Sequence, residues 1–245
     1  MTIPKIFQQA FRRWLGPKGG DTAEATSVRP TVLVKQLHER DRRRMLRHFL
    51  ALEKSDRLLR SGSSLPDELV TQYVQKMDFS RDIILGVYSS GFQLIGVGHL
   101  AFAPKEKTPV KSAVTDKEQV AEFGVSVAKA ARGMGVGSKL FERAAIHCRN
   151  NDVDTLYMHC LSSNKTMMHI ARKAGMEIQR EYGEADAYLK LLPPNPGSML
   201  QEAVQEQFAM FDYTLKANAR AASKLLQRLP GRKKTVKSDP ASEQR

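Results

Sequence analysis

The stretch Ala131-Arg132-Gly133-Met134-Gly135-Val136-Gly137-Ser138-Lys139-Leu140 holds three alternate glycines between an arginine and an apolar run. Glycine costs conformational entropy wherever the chain is ordered, so this density calls for a tight turn or a close approach of backbone to a ligand. Two phosphate-binding designs fail on spacing. The P-loop ends in Gly-Lys-Ser/Thr, whereas here the order is Gly137-Ser138-Lys139. The dinucleotide fingerprint is G-x-G-x-x-G with an acid at the end of the following strand. Here the spacing is G-x-G-x-G, and Asp152 and Asp154 precede the next strand. What remains is Arg132-x-x-Gly135-x-Gly137, after a strand and at the start of a helix. A helix N-terminus offers backbone N–H groups without internal partners, and its partial charge favours anions by about 0.3–1 kcal/mol per exposed interaction. Side chains at 133, 135 or 137 would hold the backbone away from such an anion. Arg132 and Lys139 either add charge there or are simply solvated.

The elements that position this turn are legible from periodicity. VAEFGVSV (120–127) is a strand leading into it and VGSKLFERAAIHCRNN (136–151) is a helix leaving it. Upstream, TVLVKQL (31–37) reads as a strand, 38–56 as one helix through Met45, Leu46, Phe49, Leu50 and Leu52, and 64–77 as a second. RDIILGVYSS and FQLIGVGHLAF form a hairpin about Ser89-Ser90-Gly91. Residues 104–118 are a lysine-rich loop. Downstream come a strand at 154–162, a helix at 164–175 and two strands at 176–183 and 184–192. The order β-α-α-β-β-β-α-β-α-β-β demands a mixed sheet covered by helices.

Beyond PPNPGS, residues 199–229 form one long helix. Leu200, Val204, Phe208, Phe211, Leu215, Asn218, Ala222, Leu225 and Leu229 step by four and three, a heptad-like seam with one polar member. This seam is expected to pack on its own domain or on a sister chain. Residues 1–15 place Ile3, Ile6, Phe7, Ala10, Phe11 and Trp14 at helical spacing, which suits docking on protein or weak peripheral contact with a membrane. The tail 231–245 has the composition of a disordered segment.

The arginine–glycine signature resembles the Arg/Gln-x-x-Gly-x-Gly/Ala motif of the GNAT acyltransferases. Val125-x-Val127 is similar to that family's cofactor-lining strand. Asn164-x-x-Met167-x-x-Ile170-Ala171-x-x-x-Gly175-Met176 follows its second signature, in which an asparagine opens a helix and a glycine closes it. The resemblance covers about residues 29–192 and implies a mixed, mostly antiparallel sheet of six to seven strands with helices on both faces, followed here by the long C-terminal helix. It divides the chain into an extension and linker (1–28), an acetyltransferase domain (29–194), a heptad-like helix (195–230) and a basic tail (231–245).

The same resemblance implies acetyl-CoA as acyl donor, with no metal. Its pyrophosphate would lie on Arg132, Gly133, Met134, Gly135, Val136, Gly137 and Ser138, and its pantetheine arm along Val125 and Val127. Asn164 would bond that arm or the phosphates, cap its own helix, or both. The backbone N–H of Val127 would polarise the thioester carbonyl. Attack by an amine also needs a proton acceptor, because a lysine-like ammonium has a pKa near about 10.4. Strand alternation puts Glu122, Gly124 and Ser126 on one face, so Glu122 leads, unless it is a solvated edge residue. His99 and His159 are rivals or satisfied core histidines. Many members carry a tyrosine as general acid where this chain has Ala171. His169, Tyr182 and Tyr188 are the substitutes within reach of the pattern. The implied function is therefore acetyl transfer to an amine of an unidentified small molecule or protein. The alternative is a non-catalytic acyl-CoA-binding sensor or assembly module of the same fold.

Composition bounds both readings. The 245-residue chain carries a formal net charge of +13, of which the first twenty and the last fifty-one residues hold +4 each. Basicity favours anionic ligands, yet no zinc-finger spacing or aromatic–basic platform points to nucleic acid. Two cysteines, Cys148 and Cys160, are too few for a disulfide scaffold, and no secretory signal or spanning segment stands out, so a cytoplasmic protein is expected.

Overall fold

The computed structural model describes residues 31–102 and 119–228. The N-terminal segment 1–15, its linker, the 104–118 loop, Leu229 and the 231–245 tail lie outside the described residues. Seven strands form one sheet: β1 Lys35–Leu37, β2 Ile83–Tyr88, β3 Leu94–Phe102, β4 Val120–Val127, β5 Thr155–Leu161, β6 Glu177–Glu181 and β7 Glu184–Lys190. Their spatial order is β1-β2-β3-β4-β5-β7-β6. Every pairing is antiparallel except β4 with β5. The helices among the described residues are α1 Arg42–Leu50, α2 Lys54–Ser61, α3 Asp67–Lys76, α4 Val136–Asn150, α5 Lys165–Lys173 and α6 Pro196–Arg228. The mixed, mostly antiparallel sheet with helices on both faces is the architecture that the sequence implies.

Strand alternation feeds two cores. On one face Leu85, Leu100, Phe123 and Leu156 meet Leu140 and Phe141 of α4 and Met168 and Ile170 of α5. On the other, Leu37, Ile84 and Val97 meet Met45 and Phe49 of α1 and Val70 and Val74 of α3. Burying each such side chain contributes about 1.5–3 kcal/mol.

The sequence reads 38–56 as one helix; the structure breaks it in two. Glu53 is extended (φ −64°, ψ 157°) and restarts the chain into α2. Arg57 explains the break. Its guanidinium donates to the carbonyls of Leu50 and Leu52 at the end of α1, and to that of Leu65, while pairing with Asp67 at 2.6 Å. Helix ends leave four carbonyls unsatisfied, and this arginine takes that of Leu50 together with that of Leu52 just past the cap. Hydrophobic periodicity cannot register such a cap.

Helix α6 departs further from expectation. It does pack on the domain, but not through its apolar seam. Its inner face is polar: Glu202 and Glu206 pair with Arg143 of α4 at 2.6 and 3.1 Å, and Glu202 also accepts from Asn150 and meets His147. Tyr213 packs against Tyr88 and Phe92, and Lys216 and Arg220 donate to the carbonyls of Tyr88 and Gly91 at the hairpin turn. The seam points outward, with Leu200, Phe208, Phe211, Leu215 and Leu225 all exposed. The reason is complementarity. The surface that α6 crosses offers a buried arginine and open carbonyls, and only the charged face of the helix satisfies those.

Burial would raise the Glu202 carboxyl, but hydrogen bonds from His147, Asn150 and Arg143 outweigh it and hold the pKa at about 2. The folded value lies below the ordinary 4.5, so the contribution to stability is complete above that value and lost as pH falls through about 2. Glu202→Gln should therefore unfold with about 1–3 kcal/mol less stability near neutral pH. Denaturation across pH should show the gap between the two proteins closing between about pH 4.5 and 2.

Candidate active site

The site begins where β4 and β5 part. They pair in parallel only at Val120↔Thr155, Ala121↔Leu156 and Glu122↔Tyr157. Beyond Glu122, β4 continues to Val127 on β3 alone. Backbone direction alternates along a strand. The Ala128 N–H donates to Ile95 of β3, and the Gln119 carbonyl accepts from Asp154 and Thr155 on the β5 side. Even-numbered residues of β4 thus bond β3, and odd-numbered residues turn toward β5. Past the parting, the N–H groups of Val125 and Val127 face an opening with no strand among the described residues to receive them.

The glycine turn closes one end of that opening. Gly133 (φ +75°) and Gly135 (φ +79°) are left-handed, and a Cβ at either would meet only open space. Conformation, rather than crowding, demands glycine there: a left-handed L-residue costs roughly 1–2 kcal/mol. Gly137 is different. A Cβ there would stand 3.2 Å from Ile170 Cδ1 and 3.8 Å from Val127 Cγ2, so this glycine lets α4 approach α5 and β4. Gly135 is the N-cap of α4, and no side chain among the described residues caps the helix. The N–H groups of Val136, Gly137 and Ser138 consequently lack intrahelical acceptors. Val136 itself is buried and Met134 is exposed, so Val136 offers its backbone alone. Arg132 is engaged by Asp56 of α2 at 2.5 Å, and Lys139 by Glu142 at 2.5 Å. Asn164 caps α5 by accepting from the Met167 N–H at 3.1 Å, and its amide donates to the Leu59 carbonyl at 3.4 Å.

Toward the other end lies a cavity of about 410 Å³, lined by Arg60, Tyr73, Glu122, Gly124, His159 and Glu184 among others. Glu122 and Gly124 share a face of β4 with Ser126, as alternation requires. The Ser126 hydroxyl bonds the Nε2 of His48 at 2.9 Å. Burial holds the pKa of His48 down at about 4, so it is a neutral support for β4. His99 is a satisfied core residue: Nε2 meets Asp82 at 3.1 Å and Nδ1 meets the Tyr73 hydroxyl at 3.0 Å. Burial also lowers its pKa. Asp82 fixes the proton on Nε2, so Nδ1 accepts from Tyr73. His159 lines the cavity with Nδ1 held by Asp186 at 2.8 Å. The site therefore joins Val125, Val127 and 133–138 at one end to Glu122 and His159 at the other.

The family's sequence profile, Acetyltransferase (GNAT) family, matches residues 38–176. The chain belongs to the GNAT acetyltransferase family. No curated protein matches it. Among solved structures, the GNAT domain of S. lividans PAT is 21% identical at TM-score 0.54, with 66% of this chain and 92% of that chain covered. A phosphinothricin acetyltransferase from Sinorhizobium meliloti, solved in complex with AcCoA, is 13% identical at TM-score 0.51, with 69% and 95% covered. At these identities the likeness is one of fold.

Within the GNAT frame, Ala171 is fully buried in the core of α5. Of the substitutes for a general acid, His169 and Tyr182 are exposed, and Tyr188 packs against Tyr157 in a tilted ring pair. None of the three lines the cavity. The cavity-lining groups that sequence reasoning passed over are Arg60 and Tyr73. Arg60 sits on the helix hidden by the break after α1. Tyr73, at a helical apolar position of α3, is indistinguishable by spacing from a core aromatic.

Proposed function

We propose that this GNAT protein transfers an acetyl group from acetyl-CoA to an amine by direct attack. The single observation behind this reading is the parting of β4 and β5 directly above an uncapped helix N-terminus. Unpaired N–H groups of Val125 and Val127 suit an extended arm that adds to a strand edge. The N–H groups of Val136, Gly137 and Ser138 suit a pyrophosphate. Arg132 would exchange Asp56 for a phosphate, and the Asn164 amide would turn from Leu59 to the arm. Acetyl-CoA supplies the acyl group as a thioester. The Val127 N–H is the donor to the carbonyl oxygen as negative charge develops on it. Glu122, in the cavity beside the parting, receives the amine's proton. Ala171 cannot donate, but a thiol of pKa about 8.5 leaves as an anion at modest cost. Cys148, whose pKa burial pushes up to about 12, and Cys160 are free and buried, which suits a reducing cytoplasm.

Ala171 also favours a second reading, a sensor that binds acyl-CoA without turnover. Calorimetry with acetyl-CoA should give saturable binding, and Gly135→Glu should weaken it at least a hundredfold by adding a side chain and a negative charge. Absence of binding at millimolar acetyl-CoA contradicts both readings. Binding without release of free CoA over a broad amine panel selects the sensor.

We also propose that α6 pairs with its counterpart in a second copy. From Met199 to Ser223 its exposed residues include no charged one, because Glu202, Glu206, Asp212, Lys216 and Arg220 all turn toward the domain. Steps of three and four with one asparagine suit a helix partner. A membrane-surface helix would carry lysines or arginines beside its apolar face. Sedimentation should give about twice 27.5 kDa, and Phe211→Asp should give the single mass. A wild-type monomer at about 100 µM, where weak pairs of this kind still associate, contradicts the pairing.

A further inference from the structure

Of the two arginines that line the cavity, Arg60 has no ion-pair partner among the described residues. Arg60 donates from Nη2 to the Tyr73 hydroxyl at 3.0 Å, and this is its single hydrogen bond among the described residues. Its Nε is buried without a partner. No carboxylate among the described residues comes within ion-pair distance of it, although Asp56, Glu122 and Glu184 belong to the same region. The neighbouring Arg57 is the contrast, spent on Asp67 and three carbonyls. A guanidinium stays charged at every accessible pH, and burying it unpaired is costly.

Two features hold it there. Its guanidinium lies against Gly124 of β4, where a Cβ would collide with it. Tyr73 accepts its proton while donating to His99, which in turn rests on Asp82. The arginine is thus fixed beside the parting of β4 and β5, with Nη1 bonded to no other described residue. Glu122 and Glu184 line the same cavity with negative charge. A ligand that satisfies this lining carries both charges: an amine near the carboxylates and an anion on the arginine. A cavity of about 410 Å³ is at the small end of ligand sites, which run from about 300 to 1,000 Å³.

We infer that the acceptor is a small amino acid or similar amine bearing a carboxylate, and that Arg60 receives this carboxylate. The inference rests on the acetyl-transfer reading and names the acceptor class of that same site. Planar pairing of guanidinium with carboxylate fixes orientation as well as charge, so Arg60 would set which amine enters the cavity and how it faces the thioester.

The test compares amino acids with their amides, which keep the amine and lose the negative charge. CoA thiol release from acetyl-CoA is followed with both panels. Acids should be preferred, and Arg60→Gln should raise KM for the preferred acid roughly tenfold to a hundredfold, the size of a lost charge-assisted hydrogen bond. KM for the matching amide should not move. Arg60→Lys should restore part of the preference. Gly124→Ala, which keeps Arg60 but displaces its guanidinium, should lose the preference too, and thermal unfolding checks that all variants fold. Equal use of acids and amides overturns the inference. So does an equal loss on both in Arg60→Gln, or a protein that binds acetyl-CoA and uses no member of either panel. A protein that fails to bind acetyl-CoA removes the acetyl-transfer reading and this inference with it.

Discussion

The parting of β4 from β5 after Glu122↔Tyr157 is the constraint on which the rest of the molecule depends. A parallel pair that ran its full length would consume the N–H groups of Val125 and Val127 within the sheet. Because the strands separate, those groups have no strand partner among the described residues, and a backbone N–H is a strong donor that seeks one. The opening is sustained from both sides. On β4, the antiparallel ladder to β3 runs unbroken from Ala121 to Val127, and His48 holds Ser126 on the face that Glu122 and Gly124 share. On β5, pairing with β7 continues from Thr155 through Leu161. Each strand is thus secured by its other neighbour where the gap opens.

Around that gap, each helix contributes a different group. α4 brings an uncapped N-terminus because left-handed Gly133 and Gly135 turn the chain sharply enough to aim it there. Gly137 then lets the helix settle against Ile170 and Val127. α5 approaches through the cap made by Asn164, whose amide also reaches the carbonyl of Leu59 on α2. α2 supplies Asp56 to Arg132 and Arg60 to the cavity wall. The short helix produced by the Arg57 cap therefore touches both ends of the opening, with one acid toward the glycine turn and one base toward the cavity.

Much of this was legible in the residue order. The glycine spacing, the valines before it and the asparagine after it are local signals, and the structure gathers the first two along one opening with Asn164 at the head of the adjacent helix. The strand count and element order follow from periodicity, since alternation and helical spacing are what the sheet and its two cores impose. Three features escaped because they depend on partners distant in sequence. The break after α1 rests on Arg57 reaching Leu50, Leu52 and Leu65. Arg60 and Tyr73 take their meaning from Gly124 and His99 on strands β4 and β3. The apolar seam of α6 follows a rule that usually marks a buried face, yet the buried Arg143 reverses it by drawing Glu202 and Glu206 inward. Spacing identifies which residues share a face, whereas the chemistry of the opposing surface decides which face is covered.

Amide hydrogen exchange with and without acetyl-CoA tests the central claim most directly, because it reads the N–H groups themselves. Slowed exchange at Val125 and Val127 and at Val136, Gly137 and Ser138, with β6 and β7 unchanged, is the predicted result. Unchanged exchange at these five amides in the presence of saturating acetyl-CoA would contradict it.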